Sequence, residues 1–516
     1  MSPPPSLADL SENLVPFCAR QVTSSLIWSA PDLEDKETLR NACSYLIDAS
    51  SSAPAKVFHA ERYGGSGIQR NGGGARCGFD GRYQVKGIGA NPLVGNGSDR
   101  RHTNGALGAI HAIYETLWGE VLAQLLPYGA VQTQAVLLTD QYIDITFERS
   151  KVPSRRALLV RKPVIRPAHF ERAPYFQPQS EYRGQLMHDA RRVRAVIHML
   201  PANLPAPPAG FSEKAYRDPQ LYCIEGLCEM ARRQAWQMAF CRTRFLRLTT
   251  SPSNIAMDGR LLDFNGLNCL FPSDYHYDFG YRLRLTELMK EPEILQQGLS
   301  DLCLYLGKYL FDPAFTMISR HQVEDTFQQT FQKACYHGYL ELLGIPVDLL
   351  FLKEIPETLK QLVDSFLKLL DNRSGTLHCP NYDEKTGSPL EKIVLHLIRR
   401  SQGQLVEEDT DLEHDVHFTR TLRCFTETLH WLVQTCKVRQ LDISIILKEM
   451  EQHARKRVQP RACLSKARMS EEIAVLLDSY GNDALSLQQA LSTMGARMQI
   501  FARKTLNSQQ PIRYVL

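Results

Sequence analysis

The chain has 516 residues, of which 43% are hydrophobic and 22% charged, a composition that excludes disorder for most of its length. A net charge of +4 is too small for a dedicated nucleic-acid binder. No apolar run is long enough for a transmembrane helix, and the first residues lack the pattern of a signal peptide. The 13 cysteines are scattered and show no paired CxxC spacing, so we expect reduced thiols in a cytoplasmic protein.

The first third of the chain is predicted to be rich in strands. We expect residues 1–60 to form an N-terminal extension and residues 61–175 to form a small lobe with one main helix. Residues 63–105 are rich in glycine, and residues 82–88 within them alternate as a short strand does. Residues 106–126 have helical apolar spacing and stop before a proline. Further strand-like runs lie at 135–138, 142–148 and 157–164.

The rest of the chain has mainly helical spacing. The predicted helices are 183–200, 221–247, 283–310, 323–343, 347–370, 390–400, 417–438, 441–451 and 485–503. Residues 249–281 interrupt them with a polar turn and a short hairpin around Asp258 and Gly259, a loop suited to a functional site. We divide the helical part into residues 176–345, which contain this loop, and a C-terminal region, 346–516, that offers a docking surface for a partner.

The glycine-rich stretch and the strand after it suggest phosphate binding. Repeated glycines let backbone amides approach a phosphate, and Lys86 at the centre of the strand would add a positive charge. A lysine on a strand needs an anion to hold it, and the next helix offers Glu115 and Glu120. The alternative is an ordinary loop followed by two solvent-facing glutamates.

Two arginines follow an apolar strand and are next to prolines that restrict the chain. Arg161 and Arg166 present guanidinium forks, which suit the oxygens of phosphates. By contrast, we expect Arg155, Arg156 and Lys162 to form a solvated basic edge.

An amide and a carboxylate stand on either side of the predicted hairpin. Asn254 and Asp263 are nine residues apart, and their oxygens are hard ligands suited to Mg²⁺ held together with nucleotide phosphates. Further along, residues 455–468 are strongly basic. We expect them to form a solvated loop, with a docking surface for an acidic partner as the alternative.

Four segments in the same order resemble the SelO (YdiU) family of protein adenylyltransferases. They are residues 84–100, 113–125, 157–171 and 251–264, and the resemblance extends over about residues 60–345. It implies an α+β, protein-kinase-like fold with a small β-rich N-lobe and a large helical C-lobe. It further implies that ATP binds in a flipped orientation, so that AMP is transferred instead of the γ-phosphate.

The resemblance also assigns roles to individual residues. It implies that Glu115 pairs with Lys86 and that Asn254 and Asp263 hold Mg²⁺. Arg161 and Arg166 would hold the terminal phosphates, and together with Lys86 and Glu115 they form the catalytic set. The residues implied to bind ATP are Lys86, Gly87, Asp99, Arg100, Arg161 and Arg166.

One position departs from the family pattern. The family has an acid directly before the metal-binding asparagine, thought to be the general base for a hydroxyl, and this chain has Ser253 there. Serine cannot accept that proton at neutral pH. A peptide carboxylate needs no base because its pKa is ~3.3–3.7. Its attack on the α-phosphorus would give an acyl-adenylate, with the site neutralising and aligning charge.

The chain as a whole also resembles the large maturation subunit of siderophore microcins. That resemblance implies adenylylation of the C-terminal carboxylate of a microcin precursor, for ligation to a glycosylated catecholate siderophore together with a small acyltransferase-like partner. Two alternatives remain open: AMP transfer to Ser, Thr or Tyr hydroxyls, and an inactive nucleotide-binding pseudokinase scaffold. The sequence leaves open the acceptor, the stoichiometry with a partner and the role of residues 346–516.

Overall fold

The computed structural model describes residues 5–98, 104–147, 150–206, 217–270, 279–345, 354–372, 388–404 and 410–507. They form an α+β protein with one large antiparallel sheet and many helices, which confirms the predicted class. Within these ranges, none of the helices has the length and apolarity needed to cross a membrane. All of the cysteines described there are free thiols.

Eight strands make the large sheet. They are β1 (Leu14–Gln21), β2 (Ser24–Ser29), β3 (Tyr45–Leu46), β4 (Ala55–Glu61), β5 (Cys77–Phe79), β6 (Gln84–Lys86), β7 (Thr133–Phe147) and β8 (Ser150–Arg161). Their order is β2-β7-β8-β6-β5-β4-β1-β3, and all neighbours are antiparallel. The prediction of an extension over residues 1–60 is therefore wrong, because these residues supply β1 to β3 and most of β4. A separate short pair joins β9 (Leu246–Arg247) to β10 (Asn268–Cys269).

Both faces of the sheet are buried under helices. On β7, Ala135 and Leu137 belong to the core under α1 (Lys36–Cys43), whereas Val136 and Leu138 belong to the core under α2 (Ala109–Leu125). Successive side chains of a strand point to opposite faces, so a strand covered on both sides is apolar at every position. Helix α2, predicted over residues 106–126, is buried on almost every side, because the sheet covers one side and helices cover the other.

Thirteen further helices follow in the described ranges. They are α3 (Arg183–Leu186), α4 (Asp189–Val196), α5 (Leu200–Asn203), α6 (Pro219–Thr243), α7 (Phe279–Tyr309), α8 (Pro313–Leu342), α9 (Glu357–Asn372), α10 (Pro389–Ser401), α11 (Thr410–Glu413), α12 (Val416–Arg439), α13 (Ile443–Val458), α14 (Lys466–Tyr480) and α15 (Ala484–Leu506).

Most of the predicted helices are present, with one exception. The single helix predicted over 183–200 is wrong, because the chain breaks into separate short helices there. The break is fixed by Asp189, whose carboxylate accepts hydrogen bonds from the Ala173 N–H and from Arg192. Helix α14 was not predicted. The solvated loop expected over 455–468 is wrong for Arg457 and Arg461, which are buried and donate to backbone carbonyls. Arg455, Lys456 and Arg468 are exposed, as expected.

The described chain has two large hydrophobic cores. The first joins one face of the sheet and α2 to α6, α7 and α8, and it also includes side chains of α14 and α15. The second lies between residues 339 and 458 and joins the end of α8 to α9, α10, α12 and α13. The C-terminal region therefore packs in two parts: the chain up to residue 458 makes its own core, whereas α14 and α15 return to α2 and the sheet.

Candidate functional site

Lys86 is the centre of a buried cluster of charges. It ends β6, opposite Cys77 on β5 and Leu159 on β8. Its side chain is almost fully buried, at 1% exposure. Its Nζ lies 2.6 Å from Glu115 Oε2 and 2.8 Å from Asp263 Oδ1, so the structure brings together three residues from distant parts of the chain. We call Lys86, Glu115 and Asp263 the Lys86 cluster.

The structure distinguishes between the two glutamates that the sequence offered as partners of the lysine. Glu115 is buried on the side of α2 that faces Lys86. Glu120 instead accepts a hydrogen bond at 3.3 Å from the side-chain amide of Gln132. Burial raises the pKa of Glu120, against the opposing effect of that hydrogen bond.

Asp263 is aimed at Lys86 by the hairpin before it. The turn closes with a hydrogen bond from the Gly259 N–H to the Ala256 carbonyl, and Gly259 has a φ of 92° that favours glycine. Asp263 itself has a φ of 67°, a left-handed conformation that aspartate tolerates better than most residues. Its Oδ2 lies 3.8 Å from Arg76. Burial acts to raise the pKa of Asp263, but Lys86 and Arg76 outweigh it and hold that pKa far below its usual value.

Asn254 lies beside Asp263 at the base of the same hairpin. The Asn254 carbonyl accepts a hydrogen bond at 3.1 Å from the N–H of Leu262, the residue before Asp263. The amide oxygen of Asn254 and the ionised carboxylate of Asp263 are oxygen ligands of the kind that Mg²⁺ prefers. No group of three or more His, Cys, Asp or Glu suited to a metal occurs among the described residues. Mg²⁺ does not require one, since one or two carboxylates plus waters and phosphates are its usual ligands.

The two arginines assigned to terminal phosphates are buried next to this cluster. Arg161, 4% exposed, ends β8 and its Nε donates to Gln84 Oε1. Arg166, 3% exposed, donates to the Ser253 carbonyl at 3.0 Å, and its guanidinium lies 5.0 Å from the centre of the Tyr63 ring. With Lys86, they concentrate positive charge on one side of the hairpin.

A further buried acid, Glu61, balances part of this charge. Glu61, at the end of β4, accepts a hydrogen bond from the side chain of Gln84, and its Oε2 lies 3.5 Å from His169 Nε2. Burial lowers the pKa of His169, so the imidazole is neutral at pH 7. Burial acts to raise the pKa of Glu61, but the bond to His169 and the charge of Arg166 keep it below its usual value. Glu61 is therefore ionised.

The glycine-rich segment packs directly on the loop that carries Ser253. The Ser253 hydroxyl is buried and lies 2.9 Å from the Ser251 hydroxyl. A Cβ at Gly67 would overlap Ser251 Oγ, and a Cβ at Gly64 would overlap the Arg172 carbonyl. Tight packing therefore explains these two glycines, and the segment covers the position where the family pattern has an acid.

Close packing also explains why residue 87 is a glycine and why Arg156 is buried. A Cβ at Gly87 would lie 2.7 Å from the Ala157 carbonyl, and the Gly87 carbonyl accepts hydrogen bonds from Arg156. Arg156 is only 1% exposed and makes two bonds of 2.8 Å to the carboxylate of Asp48. The expectation of a solvated edge is therefore wrong for Arg156, because the loop before α2 and Asp48 enclose its side chain.

Two of the implied ATP-binding residues, Asp99 and Arg100, lie outside the described residues. Sequence reasoning missed Arg76 beside Asp263 and Asn265, whose side-chain amide lies 2.5 Å from Glu115 Oε2. Asn265 stands two residues after the assigned aspartate, which was the available signal. An open cavity on the surface, bordered by the start of α6, shares no residue with the Lys86 cluster.

Neither a protein-family model nor a curated protein matches the chain.

Proposed function

We propose that the chain is a kinase-like, two-lobed enzyme that uses ATP and Mg²⁺ to adenylylate the C-terminal carboxylate of a ribosomal peptide, such as a microcin precursor. One observation supports this most directly. Lys86 bonds both Glu115 and Asp263, whereas the residue before Asn254 is a serine. A strand lysine held by a helix glutamate beside a metal-binding aspartate is an arrangement that serves phosphoryl chemistry.

Each charged group has a distinct task in this proposal. Lys86 neutralises phosphate oxygens, and Glu115 fixes its direction. Arg161 and Arg166 hold the terminal phosphates of ATP bound in the flipped orientation. Asn254 and Asp263 would hold Mg²⁺, which supplies further neutralisation of the phosphate oxygens. Because these cations are almost fully buried, ATP binding in this proposal requires a local opening of the site.

The reaction that fits these groups requires no proton transfer. A carboxylate oxygen attacks the α-phosphorus and forms a new O–P bond. The bond between the α-phosphorus and the oxygen bridging to the β-phosphorus breaks, and its electrons leave with pyrophosphate. The product is an acyl-adenylate. Catalysis then comes from alignment and from fixed positive charge near the leaving pyrophosphate, which is consistent with Ser253 in place of an acid.

A second step follows from the chemistry of the product. An acyl-adenylate is an activated acyl group, and a hydroxyl of a glycosylated catecholate siderophore can displace AMP from it to form an ester. We assign that step to a small acyltransferase-like partner protein, which would accept the hydroxyl proton. The large chain then supplies the activated peptide, and the partner supplies the acceptor.

The test is a pyrophosphate-release assay with full-length protein, Mg²⁺ and ATP. One arm contains a microcin-type peptide with a free C-terminal carboxylate, and the other contains the same peptide as its C-terminal amide. We expect pyrophosphate with the carboxylate only, together with an acyl-adenylate that yields AMP when water hydrolyses it. Equal release with the amide would favour AMP transfer to hydroxyls, and release of ADP would show γ-phosphoryl transfer. ATP binding without release in either arm would favour the pseudokinase scaffold.

A further inference from the structure

The basic run 455–468 is partly built into the protein: Arg455, Lys456 and Arg468 are exposed, whereas Arg457 and Arg461 are buried. Arg461 is 1% exposed and donates to the Arg244 carbonyl at 2.7 Å and to the Arg457 carbonyl at 2.6 Å. Ser465 caps α14, since its hydroxyl accepts from the N–H of Arg468. These bonds fix where α14 begins, and therefore fix the place of its first residue, Lys466.

Lys466 reaches the back of the Lys86 cluster. Its Nζ donates to the Asn265 carbonyl at 2.5 Å and lies 5.5 Å from the centre of the Tyr114 ring. Tyr114 precedes Glu115 on α2, and Asn265 lies two residues after Asp263. A single side chain from the C-terminal region thus contacts both the helix that carries Glu115 and the loop that carries Asp263.

Asn265 connects Lys466 to Glu115 and, through Glu115, to Lys86. Its backbone carbonyl is bound by Lys466, and its side-chain amide lies 2.5 Å from Glu115 Oε2. The same Glu115 oxygen lies 2.6 Å from Lys86 Nζ. The result is an unbroken line of polar contacts from Lys466 through Asn265 and Glu115 to Lys86.

Helices α14 and α15 also hold α2 from the side away from the sheet. Leu491 and Met494 of α15 belong to the same core as Leu117 and Trp118 of α2. A Cβ at Gly495 would lie 3.2 Å from Leu117 Cδ2, so the two helices are in close contact. Helix α2 is therefore confined between the sheet and the last two helices of the chain, and Lys466 is a charged group at that junction.

We propose that Lys466 is a positioning residue for the Lys86–Glu115 pair: by binding Asn265 and facing Tyr114, it holds Glu115 where it orients Lys86. This gives the end of the chain a role in the site, and its catalytic consequence rests on the proposed adenylylation. Lys466 acts through Asn265 and touches no reacting atom. Its loss should therefore affect the rate of reaction more than the binding of the peptide.

The experiment compares Lys466→Met, Lys466→Arg and Lys504→Met in the full-length chain. Methionine matches the apolar stem of lysine but lacks the terminal charge and donor, and arginine restores both. Lys504 is an exposed lysine on α15. We measure kcat and KM for pyrophosphate release, the unfolding midpoint in urea, and hydrogen exchange of α2. Lys466→Met should lower kcat roughly 10- to 100-fold with KM for the peptide within about twofold. Lys466→Arg should recover most of that loss, and Lys504→Met should match the unsubstituted protein.

A double variant tests the route of the effect. If Lys466 acts through Glu115, adding Lys466→Met to Glu115→Gln should lower kcat no further than Glu115→Gln alone. Additive losses would overturn the proposal, as would an unchanged kcat in Lys466→Met. A fall in kcat matched by loss of folded protein in both Lys466 variants would also overturn it.

Hydrogen exchange tests the positioning role of Lys466 independently of the proposed adenylylation. If the unsubstituted protein releases no pyrophosphate, the proposed function has failed, and exchange at residues 113–117 decides the role of Lys466. Faster exchange there in Lys466→Met, but not in Lys504→Met, supports the positioning role. Equal exchange in the two variants overturns it.

Discussion

Two acids of this protein, Asp263 and Glu171, lie in opposite electrostatic environments. Asp263 lies between Lys86 and Arg76 and is held ionised, with 27% of its side chain exposed. Glu171 is 1% exposed, and neither oxygen of its carboxyl group has a hydrogen-bond partner among the described residues. Burial raises the pKa of Glu171 to about 8. The difference shows that a buried carboxylate keeps its charge only where the fold supplies cations, and here those cations mark the candidate site.

The contrast between Asp263 and Glu171 is tested most directly by removing the charge of Asp263, which should have the largest effect on activity. Asp263→Asn keeps a residue that tolerates the left-handed backbone but loses the anion that faces Lys86 and that would hold Mg²⁺ in the proposed reaction. We expect pyrophosphate release to fall roughly 10³-fold, the size of effect seen when a preorganised charge is lost. The matched control is Asp258→Asn, an exposed aspartate in the turn of the same hairpin, which should retain full activity. Comparable activity in the two variants would contradict the role of Asp263.

Removing the charge of Glu115 should have the next largest effect. Glu115→Gln keeps the shape of the side chain but weakens the hold on Lys86, and we expect kcat to fall on the order of 100-fold. Glu120→Gln is the control, because Glu120 lies on the same helix and bonds Gln132 instead. A larger loss in the Glu120 variant would show that the wrong glutamate has been assigned.

We expect the charge state of Glu171 to affect the free energy of unfolding and not the rate of catalysis. Its pKa in the folded protein, about 8, lies above the ordinary value of 4.5, so the folded state binds the proton more tightly. This stabilisation is fully present below pH 4.5 and is lost as the pH rises through 8, at up to about 1.4 kcal/mol per pH unit. Glu171→Gln stays neutral, so its free energy of unfolding should fall less between pH 5 and pH 8 than that of the unsubstituted protein.

Urea denaturation at several pH values measures this difference. Glu181→Gln, at an exposed position, should follow the unsubstituted protein throughout. If Glu171→Gln has the same pH slope as the unsubstituted protein, Glu171 is ionised at neutral pH and the contrast with Asp263 does not hold.

The smallest effect is expected at Ser253. An acid placed there cannot help a nucleophile that is already an anion. It would also meet Ser251 on its own loop and Gly67 of the glycine-rich segment that covers the loop. We expect Ser253→Asp to leave carboxylate adenylylation unchanged or lower, while Ser253→Ala serves as the control for the loss of the hydroxyl alone. A strong increase in carboxylate adenylylation would show that the reaction does need a base.

The sequence by itself determined the local parts of the candidate site. Helix α2, the short strand with Lys86 and the hairpin between Asn254 and Asp263 follow from spacing, glycine and turn residues. Such signals act over a few neighbouring residues, so a single sequence displays them. The resemblance to the SelO family then selected Glu115 over Glu120, and the geometry agrees with that choice.

Only the tertiary structure decided which of these charges meet and which become buried. Lys466 and Asn265 are 201 residues apart, and nothing local to either one indicates their contact. Likewise, the first strands belong to the sheet because β1 pairs with β4 and β2 with β7, and Arg156 is buried because Asp48 lies beside it. Residue type sets the charge that a side chain can carry, whereas burial and pairing depend on distant segments that come together only when the chain folds.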